Sequence, residues 1–330
     1  MRVAVFSTKP YDEKSLLAAN QDGLVQFTFH RTRLDQNSYT LSSNHDAICA
    51  FVNDQLSSKV IQGLKEHGIR LIALRCAGYN NVDLKAAQSS GIPVVRVPAY
   101  SPHAVAEHTV ALILALNRKL IHASQRVRES NFSLDGLLGF DLHGRTVGLI
   151  GTGKIGMVVA KIMLGFGCRV LAYDKILSPE IERMGVQFAT LSEVIRQSHI
   201  ISLHVPLIPE TLHLVNAQAI AQMRDGVMLV NTSRGGLIDT PAIIDGLKSG
   251  KIGYVGLDVY EEEAALFFED KSREILQDDI FARLLTFSNV IVTGHQAFFT
   301  EEALHNIATT TVRNLVMFKE ARHLENQILK

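Results

Sequence analysis

Three closely spaced glycines stand between an apolar run and a stretch of helical periodicity. The apolar residues 146–150 are followed by Gly151-Thr152-Gly153-Lys154-Ile155-Gly156. Where a strand is followed by a turn and a helix, the first of three such glycines permits the tight turn. The second lets the backbone approach a pyrophosphate. The third lets the helix pack closely on the strand, and the phosphates meet the positive end of the helix. The segment therefore predicts a dinucleotide site.

An acidic residue lies where such a site needs one. Residues 169–173 are predicted to form the following strand, and Asp174 comes at its end, 18 residues beyond Gly156. This is close to the spacing of about 20 residues expected for the acid that binds the adenosine ribose. A carboxylate accepts hydrogen bonds from the ribose hydroxyls and repels a 2′-phosphate, which favours NAD over NADP, although Lys175 next to it weakens that preference.

The glycine segment has two other interpretations. Gly148, Gly153 and Lys154 fit a nucleoside triphosphate loop, but Ile155 stands where a hydroxyl must bind Mg²⁺, which excludes that loop. A plain glycine-rich turn with an exposed aspartate is the other. The matched position of Asp174 makes it the weaker interpretation.

Polar residues follow three further apolar runs. Residues 227–230 lead into Asn231-Thr232-Ser233-Arg234, residues 254–259 into a triplet of glutamates at 261–263, and residues 290–292 into Thr293-Gly294-His295. Since parallel strands present their carboxyl ends on one edge, an arginine, a carboxylate and a histidine converge there. Arginine binds carboxylates, histidine transfers protons, and an acid behind the imidazole fixes its tautomer. The set predicts redox chemistry at an alcohol carbon.

Each of these side chains also has an ordinary structural interpretation. Arg234 can pair with a surface acid, the glutamates can be solvated, and His295 can be a core histidine. Only their joint occurrence with a dinucleotide loop favours function. A metal site is not expected, because His103 and His108 lack the four-residue spacing that places two ligands on one helical face.

The composition limits the partners of the chain. In 330 residues, 33 basic and 33 acidic side chains cancel, so neither nucleic acid nor an anionic membrane is an expected partner. Three cysteines without CxxC spacing predict no disulfide framework and no structural zinc, and indicate the reducing cytoplasm. The longest apolar run, residues 110–116, is too short to span a membrane, and the N-terminus does not resemble a signal peptide.

The elements that position these residues form two α/β series. Apolar runs typical of buried parallel strands occur at 3–6, 47–52, 71–74 and 94–97, and again at 146–150, 170–173, 200–205, 227–230, 254–259 and 290–292. Residues 101–129 predict one long connecting helix, and the last thirty residues predict a helix without a strand. The apolar residues Val110, Leu112, Ile113, Leu114 and Leu116 indicate either a dimer surface or core burial.

The sequence resembles the D-isomer-specific 2-hydroxyacid dehydrogenase family over nearly its whole length. The resemblance lies in residues 75–83, 96–100, 151–156, 231–236, 256–260 and 294–298. It implies that Arg234 binds the substrate carboxylate and carbonyl, that His295 is the acid and base, and that Glu263 is its carboxylate partner. It also implies that the backbone N–H groups of Ala77 and Gly78 hold the carboxylate. The small pocket would be walled by Tyr100 and Phe298.

The resemblance further implies how the chain divides. Residues 1–99 and 299–330 are expected to form the substrate-binding domain, with an NAD-binding domain of residues 100–298 inserted into it. Both are expected to be Rossmann-like or flavodoxin-like, with mostly parallel sheets. Besides the glycine loop and Asp174, the expected cofactor residues are Val205, Pro206, Thr232, Ser233 and Asp258.

The implied activity is the reversible, NADH-dependent reduction of pyruvate to D-lactate by a cytoplasmic homo-oligomer, either a dimer or a tetramer. Ala264, where the wider family often has proline, and the continuation Gln296-Ala297-Phe298 favour the branch that acts on lactate. The alternatives are reduction of hydroxypyruvate, glyoxylate or a bulkier 2-oxoacid, and a non-catalytic protein that senses NAD(H), like a corepressor of the same fold.

Overall fold

The computed structural model describes residues 1–328, which divide into two compact units. The first unit consists of Met1–Ser101 together with the described residues from Phe299 onward, and the second consists of Pro102–Phe298. Two separate stretches of the chain therefore build the first unit, and one continuous stretch builds the second.

Strands and helices alternate along most of the described chain. The strands are β1 (Arg2–Val5), β2 (Gln26–Phe29), β3 (Ala47–Ala50), β4 (Ile72–Leu74), β5 (Val94–Val95), β6 (Thr146–Ile150), β7 (Arg169–Tyr173), β8 (Gln187–Phe188), β9 (Ile200–Leu203), β10 (Val227–Asn231), β11 (Ile252–Leu257) and β12 (Val290–Val292). The α-helices are α1 (Pro10–Ala19), α2 (Ser58–Glu66), α3 (Leu84–Ser90), α4 (Pro102–Asn117), α5 (Leu120–Arg128), α6 (Lys154–Gly165), α7 (Pro179–Arg183), α8 (Leu191–Gln197), α9 (Ala217–Gln222), α10 (Thr240–Lys248), α11 (Asp279–Leu285) and α12 (Glu301–Lys319).

The first unit is built on a five-stranded parallel sheet in the order β2-β1-β3-β4-β5. Its central strands are buried because helices cover them, as the continuous apolar runs predict. Helix α12 packs against α1, and its residues Ala308, Val312 and Leu315 join the apolar core around Val3 and Val5. The C-terminal helix is therefore part of this unit's core.

The second unit is built on a seven-stranded parallel sheet in the order β12-β11-β10-β9-β6-β7-β8. The direction of strand order reverses between β6 and β9, and ligands of such sheets bind beyond the carboxyl ends of the strands at that reversal. The predicted α/β class with parallel sheets is confirmed.

Two strands of the structure were not predicted from the sequence, because both lie at the edge of a sheet. β2 is an edge strand with alternating burial, so Gln26–Phe29 lacks the continuous apolar run of a strand buried on both faces. β8, at the other sheet's edge, has only two residues, Gln187–Phe188, one of them exposed. Edge strands need less apolar surface than central strands, so both are faint in the sequence.

The predicted single helix over 101–129 is wrong, because it breaks into α4 and α5. Lys119 adopts a left-handed backbone with φ of 49°. The side chain of the buried Asn117 is hydrogen-bonded to the backbone of Phe140. It donates to the carbonyl of Phe140 at 2.7 Å and accepts from its N–H at 2.8 Å. This tertiary pairing ends α4 without a proline or glycine, so the break has no local sequence signal.

The apolar residues of α4 form core and not a dimer surface. Val110, Leu112, Ile113 and Leu116 are buried in the core of the second unit. In the segment that follows α4, several large apolar side chains are exposed, at Leu120, Ile121, Val127, Phe132, Leu134 and Leu138. Of the two interpretations of α4, core burial is therefore the correct one. Among the described residues, no helix combines the length and apolar character needed to cross a membrane.

The core role of α4 leads to a stability prediction. Ile113→Ala should lower the free energy of unfolding by about 2–5 kcal/mol, because it removes fully buried methyl groups and leaves a cavity. The matched control Ile275→Ala, at a residue that is 84% exposed, should change it by less than about 0.5 kcal/mol. Urea unfolding followed by circular dichroism measures both. Equal effects of the two substitutions would contradict the packing described for α4.

Candidate active site

The glycine turn after β6 lies at the strand-order reversal. Gly151 has φ of 101°, in the left-handed region that favours glycine, and a Cβ there would collide with the carbonyl of His204. A Cβ on Gly156 would collide with the carbonyl of Gly151. Gly153 is the N-cap residue immediately before α6, and a Cβ on it would meet no atom within 4 Å. The first and third glycines therefore make the turn, and the second leaves open space at the start of the helix.

Asp174, at the end of β7, is bound to the glycine turn. Its Oδ2 accepts from the backbone N–H of Thr152 at 2.6 Å and from the Thr152 hydroxyl at 2.8 Å. Burial alone would raise the pKa of Asp174, but the hydrogen bonds from Thr152, Ile176 and Lys175 hold that pKa below its usual value. The carboxylate is therefore negatively charged at neutral pH.

These residues fit a bound dinucleotide. The first N–H groups of α6 lack partners within the helix, which suits a pyrophosphate, and Gly153 leaves the approach open. The charged Asp174 is suited to accept from ribose hydroxyls and to repel a 2′-phosphate. The local structure agrees with the residue types that predicted the site.

A histidine and a glutamate from adjacent strand ends are paired directly. His295, after β12, contacts Oε1 of Glu263 through Nδ1 at 2.8 Å. The other carboxylate oxygen of Glu263 accepts from the N–H of Tyr260 at 3.0 Å. A carboxylate accepts only, so the Nδ1 of His295 carries a proton and Nε2 is left for exchange with a substrate. The side chains are 16% and 20% exposed, so both are accessible to a small molecule.

The backbone of His295 is held in an unusual conformation. Its φ of 53° lies in the left-handed region, which non-glycine residues adopt only where the surroundings hold them. The ring of Phe268 lies against the imidazole, with ring centroids 5.6 Å apart. The position of the imidazole therefore depends on the loop that carries it.

Arg234 lies on the neighbouring loop after β10. Asn231 braces this loop, since its side chain donates to the carbonyl of Arg234 at 2.8 Å and accepts from the N–H of Ser233 at 3.0 Å. The next residue, Gly235, packs on the backbone of Tyr260 so closely that a Cβ would collide with it. Arg234 itself is partly exposed and donates to the carbonyl of Ser233 at 2.6 Å. The loops that carry Arg234 and Glu263 are therefore in contact.

Asp258, predicted to line the cofactor cleft, organises the histidine loop. It is fully buried, and Thr293 donates to its Oδ1 at 2.6 Å. The N–H groups of Gln296 and Ala297 donate to its two oxygens at 2.9 and 2.8 Å. Burial alone would raise the pKa of Asp258, but hydrogen bonds from His108, Thr293 and these N–H groups hold it below its usual value. The charged carboxylate of Asp258 therefore holds the backbone next to His295 by hydrogen bonds.

A second pairing of loops was missed by the sequence analysis. Glu261 accepts from the N–H and hydroxyl of Thr240 at 3.0 and 2.6 Å, and its other oxygen contacts Nε2 of His213 at 2.6 Å. This glutamate therefore connects the segment after Arg234 to the segment after β9. The three consecutive glutamates look alike in sequence, and their different tertiary partners distinguish them.

The remaining predicted residues of the second unit occupy strand ends. Val205 accepts from the hydroxyl of Ser233 at 2.8 Å, which links the loops after β9 and β10. Pro206 accepts from the hydroxyl of Thr211 at 2.6 Å. The hydroxyl of Thr232 is hydrogen-bonded to that of Thr109 on α4 at 2.7 Å. Phe298 is buried.

The predicted residues of the first unit also follow its strands. Ala77 and Gly78 come after β4, where the carbonyl of Ala77 accepts from Arg96 at 2.8 Å. The carbonyl of Tyr100 accepts from the side chain of Asn306 on α12 at 2.6 Å.

The glycine turn yields a prediction about dinucleotide binding. Gly156→Ala should weaken NADH binding by on the order of tenfold, or about 1.4 kcal/mol, because the added Cβ must displace the backbone of Gly151. Gly165→Ala, at the other end of the same helix, places its Cβ in open space and should leave the affinity unchanged. Titration of NADH fluorescence measures both. A Gly156→Ala variant with the parent affinity would contradict this account of the turn.

Comparison with known proteins places these features in a family. Residues 110–297 match the family model described as D-isomer specific 2-hydroxyacid dehydrogenase, NAD binding domain. The chain is 54% identical to a 2-hydroxyacid dehydrogenase homolog of Haemophilus influenzae, over 100% of this chain and 99% of that protein. It is 49% identical to the D-lactate dehydrogenase of Escherichia coli, over 100% of both.

A solved structure agrees with this over the whole fold. The pyruvate reductase of Chlamydomonas reinhardtii superimposes with a TM-score of 0.92 at 45% identity, covering 99% of this chain and 98% of that one. The chain therefore belongs to the D-isomer specific 2-hydroxyacid dehydrogenase family, and its glycine turn lies in the NAD-binding domain of that family.

Proposed function

We propose that the protein is an NADH-dependent D-lactate dehydrogenase that reduces pyruvate reversibly to D-lactate. The observation that carries the proposal is the pairing of His295 with Glu263, at 2.8 Å, on the same sheet edge as the glycine turn. The similarity to the D-lactate dehydrogenase of Escherichia coli and to the pyruvate reductase of Chlamydomonas reinhardtii supports this choice of substrate.

His295 is the acid in the proposed reduction. Glu263 accepts from Nδ1 and stabilises the positively charged ring, so Nε2 carries the proton that passes to the carbonyl oxygen of pyruvate. NADH, when bound, supplies the hydride that reduces the carbonyl carbon. One hydride and one proton convert the ketone to the alcohol, and lactate oxidation returns the proton to Nε2.

Arg234 holds the substrate in this proposal. Its guanidinium offers paired donors to the carboxylate and polarises the carbonyl, while Asn231 and the close packing of Gly235 keep its loop in place. By the family resemblance, the backbone N–H groups of Ala77 and Gly78 also hold the carboxylate. The rings of Tyr100 and Phe298 limit the space for the substrate side chain to about a methyl group, by the family resemblance.

A decisive assay is the loss of NADH absorbance with pyruvate. His295→Ala should lower kcat by about 10²–10⁴-fold, because the proton donor is removed, with the affinity for NADH unchanged. His323→Ala, at an exposed histidine of the first unit, is the matched control and should retain full activity. Near-normal pyruvate turnover by His295→Ala would refute the assignment of the acid.

The same assay separates the rival functions. Faster turnover of hydroxypyruvate, glyoxylate or a bulkier 2-oxoacid than of pyruvate would assign the enzyme to another substrate within the family. Binding of NADH without its oxidation by any of these acids would favour a sensor of NAD(H).

We also propose that the protein is a homo-oligomer. The segment 120–138 carries apolar side chains whose exposure to water is unfavourable in free energy. Among them are Phe132 and Leu134, which are 73% and 81% exposed. Leu134→Asp together with Phe132→Asp should therefore lower the molecular mass measured by light scattering towards that of one chain. An unchanged mass would exclude this segment as the contact, and a monomeric parent protein would exclude the oligomer.

A further inference from the structure

His108 lies on the second turn of α4 and has no role in the function described above. It faces the loop that carries His295, and its side chain is 18% exposed. Its Nε2 lies 3.0 Å from the hydroxyl oxygen of Thr293 and 3.4 Å from Oδ1 of Asp258. An imidazole in contact with a buried carboxylate and a hydroxyl is a structured polar group rather than a solvated one.

The direction of these hydrogen bonds follows from counting protons. Thr293 has one hydroxyl proton, and the ionised carboxylate of Asp258, which accepts only, takes it at 2.6 Å. The hydroxyl oxygen of Thr293 must therefore accept from His108, so Nε2 of His108 carries a proton. A relay of donors thus runs from His108 through Thr293 to Asp258.

The far end of the relay reaches the backbone that carries the acid. Asp258 accepts from the N–H groups of Gln296 and Ala297, and its own carbonyl accepts from the N–H of His295 at 2.8 Å. These bonds hold His295 in its left-handed conformation, which the chain would not keep unaided. Loss of one donor to Asp258 leaves a buried carboxylate with fewer partners and loosens this backbone.

We propose that His108 is a positioning residue for proton transfer, acting through Thr293 and Asp258 to set the loop that presents the imidazole of His295. The proposal rests on the proposed function of His295. What His108 must supply is an N–H donor at the position of Nε2. A glutamine side chain places an amide nitrogen close to that position, whereas leucine has a similar size and no donor.

Paired variants test the proposal. His108→Leu should lower kcat for pyruvate reduction about tenfold, as expected for a displaced catalytic group, and should leave the affinity for NADH unchanged. His108→Gln should restore kcat to within about twofold of the parent. In a Thr293→Val background, His108→Leu should lower kcat less than it does in the parent, because the hydroxyl link is already lost and only the 3.4 Å contact of His108 with Asp258 remains. Thr293→Ser keeps the hydroxyl and should behave as the parent.

Three results would overturn it: parent kcat in His108→Leu, equal loss in the glutamine and leucine variants, or multiplicative effects of His108→Leu and Thr293→Val. Thermal melting checks that each variant folds. If His108→Leu or Thr293→Val does not fold, His108→Gln and Thr293→Ser remain informative.

Hydrogen exchange tests the same relay without any turnover. The N–H groups of residues 295–297 should exchange faster in His108→Leu than in His108→Gln, while those of the glycine turn keep the parent rate. Unchanged exchange at 295–297 would overturn the proposal. If the parent protein does not oxidise NADH with pyruvate, the proposed function fails, and this measurement still decides whether His108 holds the loop.

Discussion

Parallel strands that lie side by side end on the same edge of their sheet, and the chemistry of the second unit depends on this constraint. Residues far apart in sequence, on the loops after β6, β10, β11 and β12, share one edge because their strands are neighbours or lie close in the sheet. The functional residues come soon after the ends of their strands, so their side chains start from a fixed position. The glycine turn, Arg234, Glu263 and His295 owe their placement to sheet order.

Fixed strand ends are not sufficient, because loops must also be held. Here the holding groups are mainly carboxylates that accept several donors each. Asp174 holds the glycine turn, Asp258 the histidine loop and Glu261 the segment beyond Arg234. The backbone N–H groups and hydroxyls around them compensate for their removal from water, which keeps the pKa of Asp174 and of Asp258 low. The loops of the site are therefore held in place by hydrogen bonds to charged carboxylates.

Sequence patterns predicted those parts of the molecule that depend on local chemistry. Buried strands, the glycine turn and Asp174 have local signatures of burial, backbone freedom and spacing, and the structure agrees with them. The pairing of Glu263 rather than Glu261 or Glu262 with His295 depends on tertiary contact, and only the family resemblance singled it out. The relay from His108 joins residues separated by 185 positions, so it left no trace in spacing. The roles of the predicted site residues, among them Arg234, Glu263, His295, Ala77, Gly78 and Tyr100, stay predictions, and so does the cytoplasmic location.

The discontinuity of the first unit has a consequence for synthesis on the ribosome. Its sheet emerges well before α12, which supplies Ala308, Val312 and Leu315 to its core. The whole of Pro102–Phe298 emerges in the interval and holds every strand of its own sheet, so it can mature first. Until α12 has emerged, the apolar surface around Val3 and Val5 lacks the side chains that cover it in the folded unit, and this surface can then take part in aggregation or bind a chaperone.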